Sequence, residues 1–202
     1  MYSPAYNHLE NRAELMQFMR ANNFPVLVTG LEGRLHASHL PCTVHEEGSG
    51  IVIDMHMAAA NPQWSEFIDE EVLVIFTGPH AYISPRWYAE KERVPTWNYT
   101  AVHAYGVPQK VEDREAKHAS QRRLIAEMDP AWLPEHDKLS EKYVTRMLEG
   151  IVNFRIPVAR VETRWKLSQN RGRNEMELIA RELEKAGDKA LAELTRKHLP
   201  AK

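Results

Sequence analysis

The chain holds a single cysteine, Cys42, among its 202 residues. That excludes an internal disulfide and any zinc site built from paired cysteines, and it suits a reducing compartment. Between Pro41 and Thr43, a lone thiol is expected to act as a small core residue. Glycine is also scarce, at 9 residues. Neither G-x-G-x-x-G nor G-x-x-x-x-G-K-[ST] occurs, so a Rossmann or P-loop nucleotide site is not expected. Neither charge dominates: 26 Lys and Arg stand against 28 Asp and Glu, with a net charge of -2. No chain-wide basic field exists to hold a phosphodiester backbone. No apolar run is long enough to suggest a membrane span. The first residues, MYSPAYNHLENRAEL, lack the basic and then apolar order of a secretory signal, so a cytoplasmic location is expected.

Other chemistries are missing as well. Ten histidines raise the question of a metal. His36 and His39, however, are three apart on an expected strand and so face opposite ways, and no helix carries an H-x-x-x-H pair. No metal site is expected. Ser38 beside His39 points to the other face, and there is no G-x-S-x-G elbow for a serine nucleophile. The helical stretch from 114 to 148 offers no recognition helix rich in Arg, Asn and Gln.

What is present suits a folded chain with one core: 43% of the residues are hydrophobic and 27% charged. Residues 8–22 space Leu9, Ala13 and Met16 as an amphipathic helix. VLVTG and the extended GRLHASHLPCTV read as a hairpin, and GIVIDMHM as a third strand. A short helix is expected from Pro62, followed by a fourth strand, EVLVIFTG. GPHAYIS and the long stretch TWNYTAVHAYG then read as two further strands around a loop at 85–95. Alternation in the last of these sends Trp97 and Tyr99 to one face and Asn98 and Thr100 to the other. Helices follow within 112–149, with Pro134 in a bend between them and Gly150 as a stop. IVNFRIPVARVE reads as a half-buried strand, and the residues from about 173 to 199 as a charged helical tail. The expectation is a single α+β domain over 1–202, mainly antiparallel β and of barrel or sandwich type, with the middle helices inserted.

Five stretches concentrate aromatic, amide, hydroxyl and basic groups: HASHLP, MAAANPQW, GPHAYISPRWY, VPTWNYTAVHAYG and WKLSQNR. A flat heteroaromatic ligand with a polar edge needs aromatic walls and a few placed donors, and a phosphate tail needs Arg, Lys, Ser or Thr. The inventory meets both needs, although each stretch alone is also compatible with a packed core.

In this order and at these separations, the stretches resemble the PaiB-like family, described as FMN-binding negative transcriptional regulators. The resemblance runs from MYSPAY to KLSQNR. It implies a split β-barrel of the pyridoxamine-phosphate-oxidase type, a homodimer with FMN at the subunit seam, and a role in repression. Carried over by position, Ala37, Ser38, His39 and Leu40 face the isoalloxazine, with Asn61 and Trp64 nearby. Tyr82, Ile83, Ser84, Thr96, Trp97 and Asn98 complete the pocket, while Lys166 and Gln169 come from the partner subunit. Family members often carry a larger, basic or glycine residue before the ANP box, where this chain has Met57 to Ala60. Arg34, Arg171 or Lys166 would then hold the phosphate.

Three functions stay open at this level. The first is a dimeric FMN-binding regulator, acting through a partner protein or on DNA. The second is an FMN-dependent oxidoreductase or flavin reductase, in which the flavin performs the electron transfer. The third is a split-barrel protein for haem or another planar ligand.

Overall fold

The computed structural model of the protein describes residues 1–67, 69–90 and 92–200. After a 3-10 turn at Ala5–Asn7, the helical elements are α1 (Arg12–Ala21), α2 (Arg114–Met128), α3 (Leu133–His136), α4 (Glu141–Glu149), α5 (Arg173–Ala186) and α6 (Lys189–Lys197). The strands are β1 (Val26–Leu31), β2 (Arg34–His39), β3 (Cys42–Glu47), β4 (Gly50–Ala58), β5 (Val72–Ile83), β6 (Thr96–Gly106), β7 (Gln109–Val111), β8 (Ile151–Pro157) and β9 (Arg160–Lys166). They form a five-stranded sheet in the order β2-β1-β5-β6-β9 and a four-stranded sheet in the order β3-β4-β8-β7.

The boundaries depart from the sequence expectation in four places. The extended segment after Gly33 is two strands, because β2 pairs with β1 while β3 pairs with β4 in the other sheet. The change of sheet falls at Leu40–Pro41, where proline has no N–H to continue a ladder. IVNFRIPVARVE divides in the same way into β8 and β9, which lie in different sheets. Conversely, EVLVIFTG and GPHAYIS form the single strand β5. Pro79 is tolerated inside it because it lies beyond Ile75, the last β5 residue paired with β1. Pro134 sits within α3, in its first turn, where a missing N–H costs nothing.

The chain divides into two compact units. The first comprises residues 16–76 and 103–161. Its four-stranded sheet places Cys42 opposite Met55, Val44 opposite Ile53, and Phe154 and Ile156 opposite Met55 and Ile53. All of these are buried, and Met57 with them. This is the apolar face that period-two alternation predicts. Burial, reinforced by the charge of Glu127, pushes the Cys42 thiol up to about 12. The other face carries Thr43, Asp54 and Arg155, which are adjacent in register, and Arg123 of α2 donates to Asp54 there. Asp113 caps α2 by accepting from the Ala116 N–H at 2.8 Å, and Ser140 caps α4 through the Tyr143 N–H. Gly106 is required by close approach, since a Cβ there would stand 2.2 Å from the Pro157 carbonyl oxygen.

The second unit comprises residues 1–15, 77–102 and 162–202. The tail folds as an αα-hairpin, burying Met176, Ile179 and Leu183 of α5 together with Leu191 and Ala192 of α6. Gly187 takes a left-handed conformation, φ 95°, and its N–H closes the last turn of α5 onto Glu184. Lys197 and His198 both meet the Glu14 carboxylate at 3.0 Å, tying the tail to the start of α1. Burial would raise the Glu14 carboxyl, but the hydrogen bonds from Lys197 and His198 hold it below its ordinary range.

Candidate functional site

The residues singled out in the sequence fall into two groups, one in each unit. In the first unit the group is built on β2 and the 3-10 turn Pro62–Glu66. β2 is the end strand of its sheet. Ala37 and His39 are exposed, Ser38 is half-buried and Leu40 is buried. The Phe24 and His39 rings lie 6.0 Å apart. Asn61 works in two directions: its carbonyl oxygen accepts from the Gln63 N–H at 3.0 Å, capping the turn, and its amide donates to Ser38 Oγ at 3.1 Å. Trp64 donates from Nε1 to the Ala59 carbonyl at 2.9 Å. The Lys110 ammonium stands 4.2 Å from the Trp64 ring centre, a cation–π contact.

Beneath this surface lies a network that the sequence reading missed. Glu66 is buried. Its Oε2 accepts from Thr29 Oγ1 at 2.5 Å, and its Oε1 pairs with His36 Nδ1. The Gln63 amide reaches Thr29 Oγ1 and the carbonyl oxygens of Leu27 and His36, each at 3.2 Å. Burial would raise the Glu66 carboxyl, but the hydrogen bonds from Thr29 and His36 hold it below the ordinary range. No sequence spacing signals this pairing, because the partners come from different elements.

In the second unit the group is built on β5, β6 and the end of β9. The alternation expected for β6 is present, but the polar face is the inner one. Asn98 and Thr100 are fully buried, whereas Trp97 is 53% exposed. Asn98 accepts from Ser168 Oγ at 3.1 Å. Its amide nitrogen and Thr100 Oγ1 find no partner among the described residues. Tyr82, 48% exposed, meets Trp97 edge-on with ring centres 6.2 Å apart, and His80 lies 6.3 Å from the same ring. The Lys166 ammonium donates to the Trp97 carbonyl at 2.7 Å and to Thr96 Oγ1, all within one chain. Burial and the charge of Arg164 lower its pKa.

The remaining candidates of this group frame the surface. Ile83 is fully buried at the end of β5. Ser84 caps the 3-10 turn Pro85–Trp87 by accepting from the Arg86 N–H. Gln169 accepts from the Leu167 N–H at 2.7 Å and donates to the Trp165 carbonyl, holding the turn after β9. Arg171 lies over the Tyr88 ring at 5.2 Å and 3.9 Å from Glu175. Paired exposed aromatic rings beside an ammonium and a guanidinium are the donor set that a planar ring with an anionic tail requires. The residues present therefore fit a flavin nucleotide.

Among the described residues no group of three metal-ligating side chains converges, and no helix is long and apolar enough to cross a membrane. Comparison with known proteins supplies the rest. Residues 1–160 match the family model FMN_bind_2, described as "Putative FMN-binding domain". The chain is 39% identical over 205 residues to the protease synthase and sporulation protein PAI 2 of Bacillus subtilis, covering 96% of each. Among solved structures, the conserved hypothetical protein Rv2991 of Mycobacterium tuberculosis superposes with a TM-score of 0.57 at 17% identity, over 82% of this chain and 91% of that one. The FAD and haem binding protein of Mycobacterium smegmatis superposes with a TM-score of 0.60 at 13% identity, over 78% and 72% respectively. These likenesses bear out the split-barrel class that the family resemblance implies, mixed α and antiparallel β with added helices. With that fold, and a match spanning most of its length, the chain belongs to the FMN-binding family to which PAI 2 is its curated relative.

Proposed function

We propose that this protein binds FMN as a cytoplasmic homodimer and serves a regulatory role of the kind that the name of its Bacillus relative suggests. The observation that carries this reading is the exposed Trp97 and Tyr82 pair, set edge-on beside the Lys166 ammonium. Trp97 and Tyr82 supply a wall for the isoalloxazine. Lys166 keeps one of its three N–H groups for the phosphate, and Arg171 adds a second cation.

Near-neutral charge and the lack of an Arg- and Asn-rich recognition helix favour regulation through a partner protein over direct reading of DNA. A second reading, a flavin-dependent oxidoreductase, is favoured by the buried Glu66 beneath a half-exposed His36. The test is the absorbance spectrum of the purified protein, with fluorescence of the flavin released on denaturation. A yellow protein releasing FMN supports the reading, and a colourless protein that takes up no added FMN overturns it.

A further inference from the structure

The inserted helices enclose a cavity of about 370 Å³, lined only by residues between Arg114 and Leu148 and so contained within one compact unit. None of these residues is assigned to the flavin. The cavity is of the size that takes a small organic ligand. Its charged side chains are already paired, Arg122 with Asp137 and Arg114 with Glu141, while Glu115 lies at the exposed rim. The lining therefore calls for no ionic group. Leu139, Val144 and the buried Leu148 give it apolar surface, and His136, stacked on His118 with ring planes 29° apart, gives it a flat wall.

His136 is the polar group left wanting. It is 9% exposed, and burial, then His118 and Arg122, lower its pKa, so the ring is neutral near pH 7. Asp137 Oδ1 stands 3.4 Å from Nδ1. A carboxylate paired with arginine only accepts, so Nδ1 carries the hydrogen and Nε2 is left as a bare acceptor. Nε2 has no hydrogen-bond partner among the described residues. A buried acceptor without a donor is costly. The missing component is a hydrogen-bond donor on an uncharged, apolar body, and a flat ring matches the imidazole wall.

We propose that this cavity is a binding site for a small phenol, whose ring lies against Leu139, Val144 and Leu148 and whose O–H donates to His136 Nε2. Occupancy of the site does not require FMN.

The test is calorimetric titration of the full-length protein with phenol and with anisole, in which a methyl group replaces the hydroxyl hydrogen. Wild-type protein binds phenol about tenfold more tightly than anisole. Phenol also shifts the indole N–H resonance of Trp132, whose ring lies 5.4 Å from that of His136. In His136→Leu the preference for phenol over anisole disappears. The proposal is overturned by equal affinity for the two compounds in wild type, by no uptake of phenol up to about 10 mM, by an unmoved Trp132 resonance, or by a preference that survives in His136→Leu. Should His136→Leu fail to fold, the wild-type comparison and the Trp132 resonance decide.

Discussion

Trp97 and Asn98 are neighbours with opposite assignments. The indole faces outward and the amide is fully buried, so single substitutions at the two positions separate binding from folding. Trp97→Ala removes an exposed ring and little packing. Its thermal melt should stay within roughly 1 kcal/mol of wild type, while loss of a stacking partner weakens FMN binding by about tenfold. A flavin titration alongside the melt checks both, and equal losses would make Trp97 a structural residue. Asn98→Ala should act in the opposite sense, costing stability through the lost Ser168 bond. These two roles were only half legible beforehand. Period-two alternation shows that Trp97 and Asn98 part company, but it does not say which face is inner, because aromatic residues and buried amides both occur in cores. The Glu66–His36 pair was not legible at all, since nothing local to HASHLP or NPQWSE records that a turn closes over β2.

The inserted helices show what one buried side chain does to an element. His136 stacks on His118 with ring centres 5.4 Å apart, meets Trp132 edge-on, and has Asp137 Oδ1 at 3.4 Å. Burial lowers its pKa, and the neighbouring His118 and Arg122 lower it further. A base whose pKa is depressed in the fold binds its proton more readily once the helices open. Stability therefore holds above its ordinary pKa and is lost as pH falls from there through the lowered value. The expected result is that acidification from about pH 7.5 to about pH 5.5 lowers the melting temperature less in His136→Gln than in wild type. An identical acid dependence in the two proteins would remove His136 from this role. Helices were the most legible elements, because Asp113 and Ser140 cap runs of clear spacing. Strand ends were the least legible. Residues on both sides of Leu40–Pro41 read as extended, and alternation does not change when a chain passes from one sheet to the next. Gly78 and Pro79 look like a stop, yet β5 runs through them because β1 no longer lies alongside.

At the scale of the whole molecule, the end strand β2 carries an exposed Leu35, at 77%, with Phe24 exposed near its far end. Apolar side chains on an uncovered strand edge are an association surface. The proposed homodimer predicts a solution mass near twice 23.3 kDa, measured by light scattering, and Leu35→Lys should shift the protein toward a single copy. The single thiol offers a further handle on the whole fold. With Cys42 enclosed by the four-stranded sheet and its proton held to about pH 12, an alkylating reagent near neutral pH must wait for that sheet to come apart. The speed of iodoacetamide capture is then a clock for opening of the protein, built in without any introduced label, and it should slow whenever a bound ligand holds the closed form.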